Sequence, residues 1–571
     1  MTTTPGGLLL VRAVLLPFVG MLLGLVLGGR NAQRVAMLTL LLGLGVAAGI
    51  ADTLLESGHA VVYLLGGWAP PLGVALRADA LSAVMLLVVA LVILGIGLYA
   101  RPDFATPPGE REARAPLAFW LLLLAVWGSL NLVFVSGDLF TLYVALELLT
   151  FAGVPLVCLD GKGETLRAAL RYLLFALIGS VFYLLGVVLL YGAYGTIDIP
   201  LLAERIRPGP LAFTAAALMT TGLLAKTALF PLHIWLPPAH AGAPAAASAV
   251  LSALVIKGSW FLVVRVWFDV MPNVVTFSAA QVLGTLGAAA IVVGSVVALR
   301  QERLKLLVAY STMAQIGYLF LMFPLAFDAA SGSIAHGAAL AGGLLQATSH
   351  ATAKAGMFMA AGLIYAALGH DRIADLAGVA RALPVTVLAF VVSGVALMGV
   401  VPSGAYLAKK LLLDAADGSG QWWWTLVLNG GAAFTAGYVV LVLASVLRRR
   451  PEPVPLVKRV SRLSEWVALA LAVGSLGLGL AALGPVPGEL VSSPLAPKEL
   501  LSTVLVLLGG TLLALGLARR PLFGPAGGGR RWTLALGTAF ERADAAIRRW
   551  PSAAIAMLAI AALLGGLLAA R

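Results

Sequence analysis

The sequence predicts an all-α fold: a polytopic transmembrane helical bundle of about 16 spans, with two inverted five-helix repeats that contain broken helices. Three observations predict it. The 571 residues are 61% hydrophobic and 11% charged, with mean hydropathy +1.01, more apolar than any soluble core of this length requires. The apolar runs are continuous over roughly 20 residues, the length of one helical crossing, and do not alternate as membrane β-strands do. The basic residues collect in alternate loops.

In order, the predicted spans are 5–27, 34–51, 79–100, 115–135, 138–158, 165–193, 209–229, 244–268, 275–298, 304–325, 332–368, 385–413, 421–447, 463–484, 499–518 and 551–570. The first has no small-residue cleavage site and reads as a retained helix, not a signal peptide. Residues 57–78 are too interrupted by Gly and Pro to span; two β-prone runs around Pro70-Pro71 predict an outward hairpin. Span 332–368 is long for one straight crossing, and Gly342-Gly343 is where an interruption is expected. Residues 530–549 place Arg on one side and Trp, Leu and Phe on the other, as a helix lying along the membrane interface does. The domains expected are 1–114, three helices with the hairpin; 115–268 and 275–447, the two repeats; and 448–571, C-terminal spans with the interfacial helix.

Charge sets the orientation. Loops 28–34, 101–115, 159–167, 299–305, 369–381, 448–462 and 519–550 hold about 25 basic residues and the opposite set about six, which predicts both termini outside a cell inner membrane and the basic loops in the cytoplasm. The net charge of +13 is therefore topological, and nucleic acid is not expected as a partner. Arg448, Arg449, Arg450, Lys458, Arg459 and Arg462 form a cluster suited to anionic lipid. The single cysteine, Cys158, excludes intrachain disulfides and iron–sulfur clusters. No metal site, cofactor or hydrolytic site is expected in this chain.

A charge at mid-bilayer costs about 3 kcal/mol or more, so each one in a span needs a reason. Glu147, Lys226 and Lys257 lie in separate predicted spans. His350 and Lys354, four apart, share a helix face, and His336 lies 14 residues before His350, within roughly 40° of that face. Lys409 and Lys410 close GVALMGVVPSGAYLAKKLLL. Each has a plainer reading as a structural ion pair, a packed histidine or a lysine reaching for the interface. Their number favours a proton path. Pro231 follows Lys226 by five residues and Pro402 precedes Lys409 by seven, and a proline inside a membrane helix frees a carbonyl that survives only when buried in protein or lining a wet cavity. Two broken helices with nearby lysines suggest two halves, and five spans per half would invert one relative to the other.

These residues lie in segments that resemble the antiporter-like subunits of respiratory complex I, membrane-bound hydrogenases and Mrp-type Na⁺/H⁺ antiporters, with the D subunit of Mrp antiporters the closest in pattern. The segments are DLFTLYVALELL, KTALFPLHIWLPPAHAGAPAAASAVLSALVIKGSW, LKLLVAYSTMAQIGY, HATAKAGMFMAAG and GVVPSGAYLAKKLLL, in that order over roughly residues 115–415. The resemblance implies a 14-helix core that moves H⁺, or exchanges Na⁺ for H⁺, within a multi-subunit membrane complex. It implies that Glu147 pairs with Lys226, that Lys257 links them to His350 and Lys354, and that Lys409 ends the path. His240, Lys305, His336 and Lys410 are further path or structural candidates. Ala405 stands where the family usually has Gly, Leu306 where many members have Arg, and residues 485–571 exceed the Mrp-like length. Two other settings fit the same chain: a membrane subunit of an NADH:quinone oxidoreductase or hydrogenase whose partners carry the redox chemistry, and a subunit of an inorganic-carbon uptake system.

Overall fold

The computed structural model describes residues 2–334, 337–480, 496–518 and 530–570, and they are overwhelmingly helical. They cluster into two compact units, Met1–Thr227 with Gly242–Ala279 and Ala554–Arg571, and Ala228–Ala241 with Ala280–Ala553.

The first unit opens with α1 (Leu8–Leu27) and α2 (Gly29–Ser57). The predicted hairpin follows: β1 (Val61–Leu64) pairs antiparallel with β2 (Ala75–Ala78), Val61 opposite Ala78. Asp79 caps α3 (Ala80–Ala100) by accepting from Ser82 N at 3.0 Å. Next come α4 (Arg114–Val135), α5 (Leu139–Val157), α6 (Gly163–Tyr194), the short α7 (Ile199–Arg205) and α8 (Pro210–Thr227). α8 stops at the break predicted around Pro231, where Ala228 takes φ +57. Beyond α9 (Leu236–Gly242), α10 (Ala245–Val250) and α11 (Ile256–Arg265) are joined by a π-helical turn, Leu251–Val255, within one span, Ala245–Val270.

α12 (Phe277–Leu299) leads to α13 (Leu304–Leu325) and α14 (Ala338–Leu368) in the second unit. α14 is unbroken, so the interruption expected at Gly342-Gly343 does not occur. Those glycines are packing sites: a Cβ on Gly342 would lie 3.1 Å from the Ala408 carbonyl, and one on Gly343 would run into Met322. After α15 (Val379–Ala382), the second broken span is α16 (Pro384–Leu397) and α17 (Gly404–Gly418). The left-handed turn between them is made by Gly399, φ +64, so Ala405 sits inside α17 with no need of glycine's freedom. Ser403 caps α17, accepting from Tyr406 N at 3.0 Å. α18 (Trp422–Leu447), α19 (Arg462–Leu480), α20 (Pro497–Leu517), the amphipathic α21 (Arg530–Ile547) and α22 (Trp550–Ala569) complete the chain. Here α14 packs on α13, α16, α17 and α19, and α18 on α20.

Thirteen helices among the described residues are long and apolar enough to cross a membrane. Predicted spans 209–229, 385–413 and 463–484 correspond to α8, to α16 with α17, and to α19, and are not among the thirteen; the first two are the broken helices.

The element order long helix, long helix, long helix, broken helix, long helix occurs twice, α4 to α11 and α12 to α18. A local detail repeats with it. At the start of α5, Leu139 N donates to Ile197 O at 3.0 Å and Ile199 N to Gly137 O at 2.9 Å. At the start of α13, Leu304 N donates to Asp371 O at 2.8 Å and Ile373 N to Glu302 O at 2.9 Å. Both halves thus clip the entry of the second helix to the segment before the broken one.

Candidate functional site

In the first unit α6 and α8 approach closely because Gly179 and Gly222 face each other; a Cβ on Gly179 would lie 2.7 Å from the Gly222 carbonyl. That approach brings Ser180 and Lys226 together, while α5 supplies Glu147 and Thr150 on one face. Lys226 Nζ donates to Glu147 Oε1 at 3.1 Å, to Thr150 Oγ1 at 3.0 Å and to Ser180 Oγ. An ammonium has three N–H donors, and all three are met. The ion pair is nearly dry, with side chains 6% exposed for Lys226 and 14% for Glu147. Sequence predicted the pair but not Thr150 or Ser180, since hydroxyls in apolar helices are common and most bond back to their own helix.

A cavity of about 10 Å³, about the space of one water, lies beside this pair, lined by Thr150, Tyr172, Lys226 and Ser259 among others. Ser259 belongs to α11, where its Oγ accepts from Thr227 Oγ1 at 3.0 Å. Two residues earlier in α11, Lys257 is buried and its Nζ donates to Ser252 O at 2.9 Å. Ser252 lies in the π-helical turn, where the displaced backbone ladder presents a carbonyl to a side chain. No sequence signal marked that turn.

In the second unit Lys354 is fully buried on α14, and its Nζ donates to Val308 O at 3.2 Å and to Ser311 Oγ, both on α13. His350, one turn earlier, is equally buried. His240 on α9 is buried and stacked on Phe358 of α14, ring centroids 4.9 Å apart. Lys305 starts α13 and is buried; its backbone N donates to Asp371 Oδ2 at 3.2 Å, and Asp371 Oδ1 accepts from Arg303 Nε at 2.9 Å. Lys409 and Lys410 on α17 are both half-buried. The Lys409 stem reaches the break, since a Cβ on Gly399 would lie 3.8 Å from Lys409 Cδ. His336 lies outside the described residues.

The charged residues of the ion pair are not repeated at the equivalent positions of the second half. Eight residues past Leu139 is Glu147, and eight past Leu304 is Thr312; five before Pro231 is Lys226, and five before Pro402 is Leu397. Where the first half has Thr150 and Lys226, the second has Gln315, whose Nε2 donates to Leu397 O at 3.3 Å. A neutral hydrogen bond replaces the charge pair, and the second half's lysine is displaced beyond the break to Lys409.

Residues 136–435 match the family model described as NADH:quinone oxidoreductase/Mrp antiporter, transmembrane. The chain belongs to this family. It is an antiporter-like membrane subunit. Among its relatives, the N subunit of the NADH-quinone oxidoreductase of Desulforudis audaxviator is 33% identical over 459 residues, covering 78% of this chain and 89% of the relative. The D subunit of the Na⁺/H⁺ antiporter of Bacillus subtilis is 26% identical over 479 residues, covering 81% and 92%. The fold resembles a chain of the Mrp complex from Dietzia, at TM-score 0.74 and 23% identity over 90% of this chain and 98% of that one. It also resembles a chain of an archaeal membrane-bound sulfane sulfur reductase, at TM-score 0.74 and 24% identity over 88% and 99%. Members of this family in both settings are subunits of multi-subunit membrane complexes.

Sequence reasoning passed over two further polar clusters. Arg265 at the end of α11 holds Asp79 bidentately, both contacts at 2.6 Å, and also Asp269 at 2.6 Å. Burial pushes the Asp79 carboxyl up, but the hydrogen bonds and charge of Arg265 overcome it and take the group down to about 2. This cluster anchors α3 to α11. The other surrounds Asp544 on α21, and its nearest sequence sign is an i, i+4 pairing with Arg548.

Proposed function

We propose that this chain translocates protons as one membrane subunit of a multi-subunit complex, through a buried series of titratable groups. The observation that carries the reading is the dry Glu147–Lys226 pair with every Lys226 donor met, one residue from the end of a broken helix. A buried pair of this kind is costly to keep and is weak evidence of stability, whereas in a membrane an ionisable cluster marks an ion pathway. In the proposed order, Glu147 and Lys226 form the first station, a water beside Ser259 joins them to Lys257, and His350 with Lys354 and then Lys409 form the path through the second half. His240 and Lys305 line it or position it. Protons cross such a series by hopping between groups and intervening water, so each station must be able to release its proton.

The partners proposed are other membrane subunits, with H⁺ and, in an Mrp-type setting, Na⁺ as the transported ions, and anionic lipid at the basic loops. The relatives support two settings, an Na⁺/H⁺ antiporter and a redox-driven complex in which the electrons are handled by partner subunits. The same proton path is proposed for either setting. The proposed location is the cell inner membrane with both termini outside.

The test is proton flux in inverted membrane vesicles containing the assembled complex, followed by quenching of a pH-sensitive dye after a Na⁺ pulse or after electron donor. The proposal expects flux with one of the two drives and none in Lys257→Arg, since arginine keeps the charge but does not release its proton. Near-normal flux in Lys257→Arg would make residue 257 a fixed charge and break the series.

A further inference from the structure

The C-terminal extension, which no part of the path above uses, places a carboxylate against a buried histidine of the broken segment. Asp544 lies in the last turns of α21, a helix that also carries Trp532 and Leu536 exposed. Its Oδ1 is 2.8 Å from His233 Nε2, in the stretch between α8 and α9. Its Oδ2 accepts from Tyr310 Oη of α13 at 2.8 Å and from Arg548 Nε, one turn on, at 2.8 Å. The docking is reinforced next door: Arg300 at the end of α12 pairs with Glu541 at 3.0 Å and donates to Thr538 Oγ1 at 3.1 Å. All of these residues belong to the second unit.

Three features separate this cluster from a simple helix latch. His233 and Asp544 are both nearly inaccessible, at 0% and 2% of their side-chain surface, so the contact lies in a dry wall. The other ring nitrogen of His233, Nδ1, is buried and has no hydrogen-bond partner among the described residues, which is unusual for a polar atom at that depth. And Asp544 lines a cavity of about 310 Å³ together with Pro237, Gln301, Tyr310, Glu541 and Arg548. A latch needs the ion pair; it has no use for a cavity beside the carboxylate or for a buried imidazole nitrogen left unpaired among the described residues.

We infer that Asp544 and His233 form a proton-uptake site, contributed jointly by the C-terminal extension and the first broken span, that feeds the path. The inference rests on the proton-translocation reading above. The loops 299–305 and 519–550 are both in the basic set, so the cavity faces the cytoplasm in the proposed topology. The groups facing Asp544 are His233 from the broken segment, Tyr310 from α13, and Arg548 from α21; Glu541 lies beside it, neutralised by Arg300. Burial pushes the Asp544 carboxyl up, and His233, Arg548 and Tyr310 together hold it below the usual carboxylate range, so it waits as an anion.

The step balances as a proton passed through. At rest the neutral ring donates Nε2–H to the Asp544 carboxylate at 2.8 Å and keeps its lone pair on Nδ1. A proton from cavity water joins the carboxylate and is relayed through water to the Nδ1 lone pair, giving an imidazolium beside a carboxylate. The same proton then leaves Nδ1 for the next water or titratable group of the path, and the ring is back in its starting tautomer with Nε2–H still on Asp544. Both ring nitrogens have a use: Nε2 holds the carboxylate and Nδ1 carries the proton.

The test uses the full chain in its complex, with Asp544→Asn and Asp544→Glu. Asparagine keeps the size and two of the hydrogen-bonding contacts but takes up no proton. Three quantities are read: dye-quench flux against cytoplasmic-side pH, the thermal midpoint of the solubilised complex, and the infrared difference spectrum between acid and neutral pH. The inference expects Asp544→Asn to lose flux by about tenfold or more, with a shifted pH profile and an unchanged midpoint, and Asp544→Glu to restore flux. It also expects the coupled carboxylate and imidazole bands of the wild type to vanish in Asp544→Asn. Wild-type flux and pH profile in Asp544→Asn would overturn it, and so would a loss that follows a lowered midpoint and is not restored by glutamate, which is the behaviour of a latch. Glu147→Gln in the same vesicles separates the two readings. If it transports normally, the path proposed above fails, while the infrared bands still decide whether Asp544 and His233 exchange a proton.

Discussion

Replacing Glu147 by Gln tests the first station with the least disturbance of shape. Gln keeps a carbonyl oxygen where Glu147 Oε1 accepts from Lys226 at 3.1 Å, and Thr150 and Ser180 still accept the other two protons. What is removed is the charge. At 3.1 Å, with the effective dielectric of about 20 that suits buried protein sites, the two charges attract by about 5 kcal/mol. The pair is screened little by solvent, being 6% and 14% exposed. If half of that attraction acts at the rate-limiting arrangement, flux falls about 70-fold, because each 1.36 kcal/mol is a factor of ten. Lys226→Ala is the harsher change: it strands the carboxylate and costs about 3–5 kcal/mol of stability as well. The assay is dye-quench proton flux in inverted vesicles at equal amounts of assembled complex, measured by blue native electrophoresis. Glu147→Asp, with the charge kept but withdrawn by one methylene, should fall between wild type and Gln. Wild-type flux in Glu147→Gln, in a complex that assembles normally, would remove the pair from the mechanism.

Four other outcomes are expected. Lys409→Ala abolishes exchange while Lys410→Ala largely preserves it, because the Lys409 stem is the one that reaches Gly399 at the break; the reverse order, at equal expression, would move the exit by one residue. Gly222→Ala lowers the thermal midpoint by an amount equivalent to about 1–3 kcal/mol, since its Cβ would meet the Gly179 carbonyl and force α6 from α8; an unchanged midpoint would show that these helices have slack. Asp79 carries a folded-state value of about 2 against an ordinary 3.8, so its contribution is present above that range and is lost as pH falls from about 4 toward 2. Asp79→Asn should therefore lower stability at neutral pH by about 1–2 kcal/mol, discounted for its partial exposure, and by nothing at the acid end, read as melting midpoints across pH. Reporter fusions at residue 455 and after residue 571 should report cytoplasm and periplasm; both on one side would contradict the charge-based topology.

The sequence alone determined what depends on local or additive properties. Helical spans, the hairpin at 57–78, the amphipathic segment at 530–549 and the two breaks could be read because hydrophobic length, period and proline act within a few residues of chain. The charged groups Glu147, Lys226, Lys257, Lys354 and Lys409 could be singled out for a related reason: in an apolar span each ionisable group is conspicuous. What only the tertiary structure decided involves groups that are ordinary in sequence and special by position. Gly342-Gly343 look like an interruption, yet glycine in a membrane helix equally serves close packing, and only Ala408 and Met322 show which role applies. Ser180, Thr150 and Ser311 are commonplace hydroxyls until Gly179 and Gly222, or the α13–α14 contact, bring them to a lysine. The π-helical turn that offers Ser252 O to Lys257 leaves no mark in composition, because a one-residue change in hydrogen-bond register costs little and is selected by packing. Asp544 is the extreme case. It meets His233 across 311 positions of chain, and no periodicity or spacing rule spans that distance; the meeting exists because α21 docks through Arg300 and Glu541, a decision made by the folded surface and not by either segment.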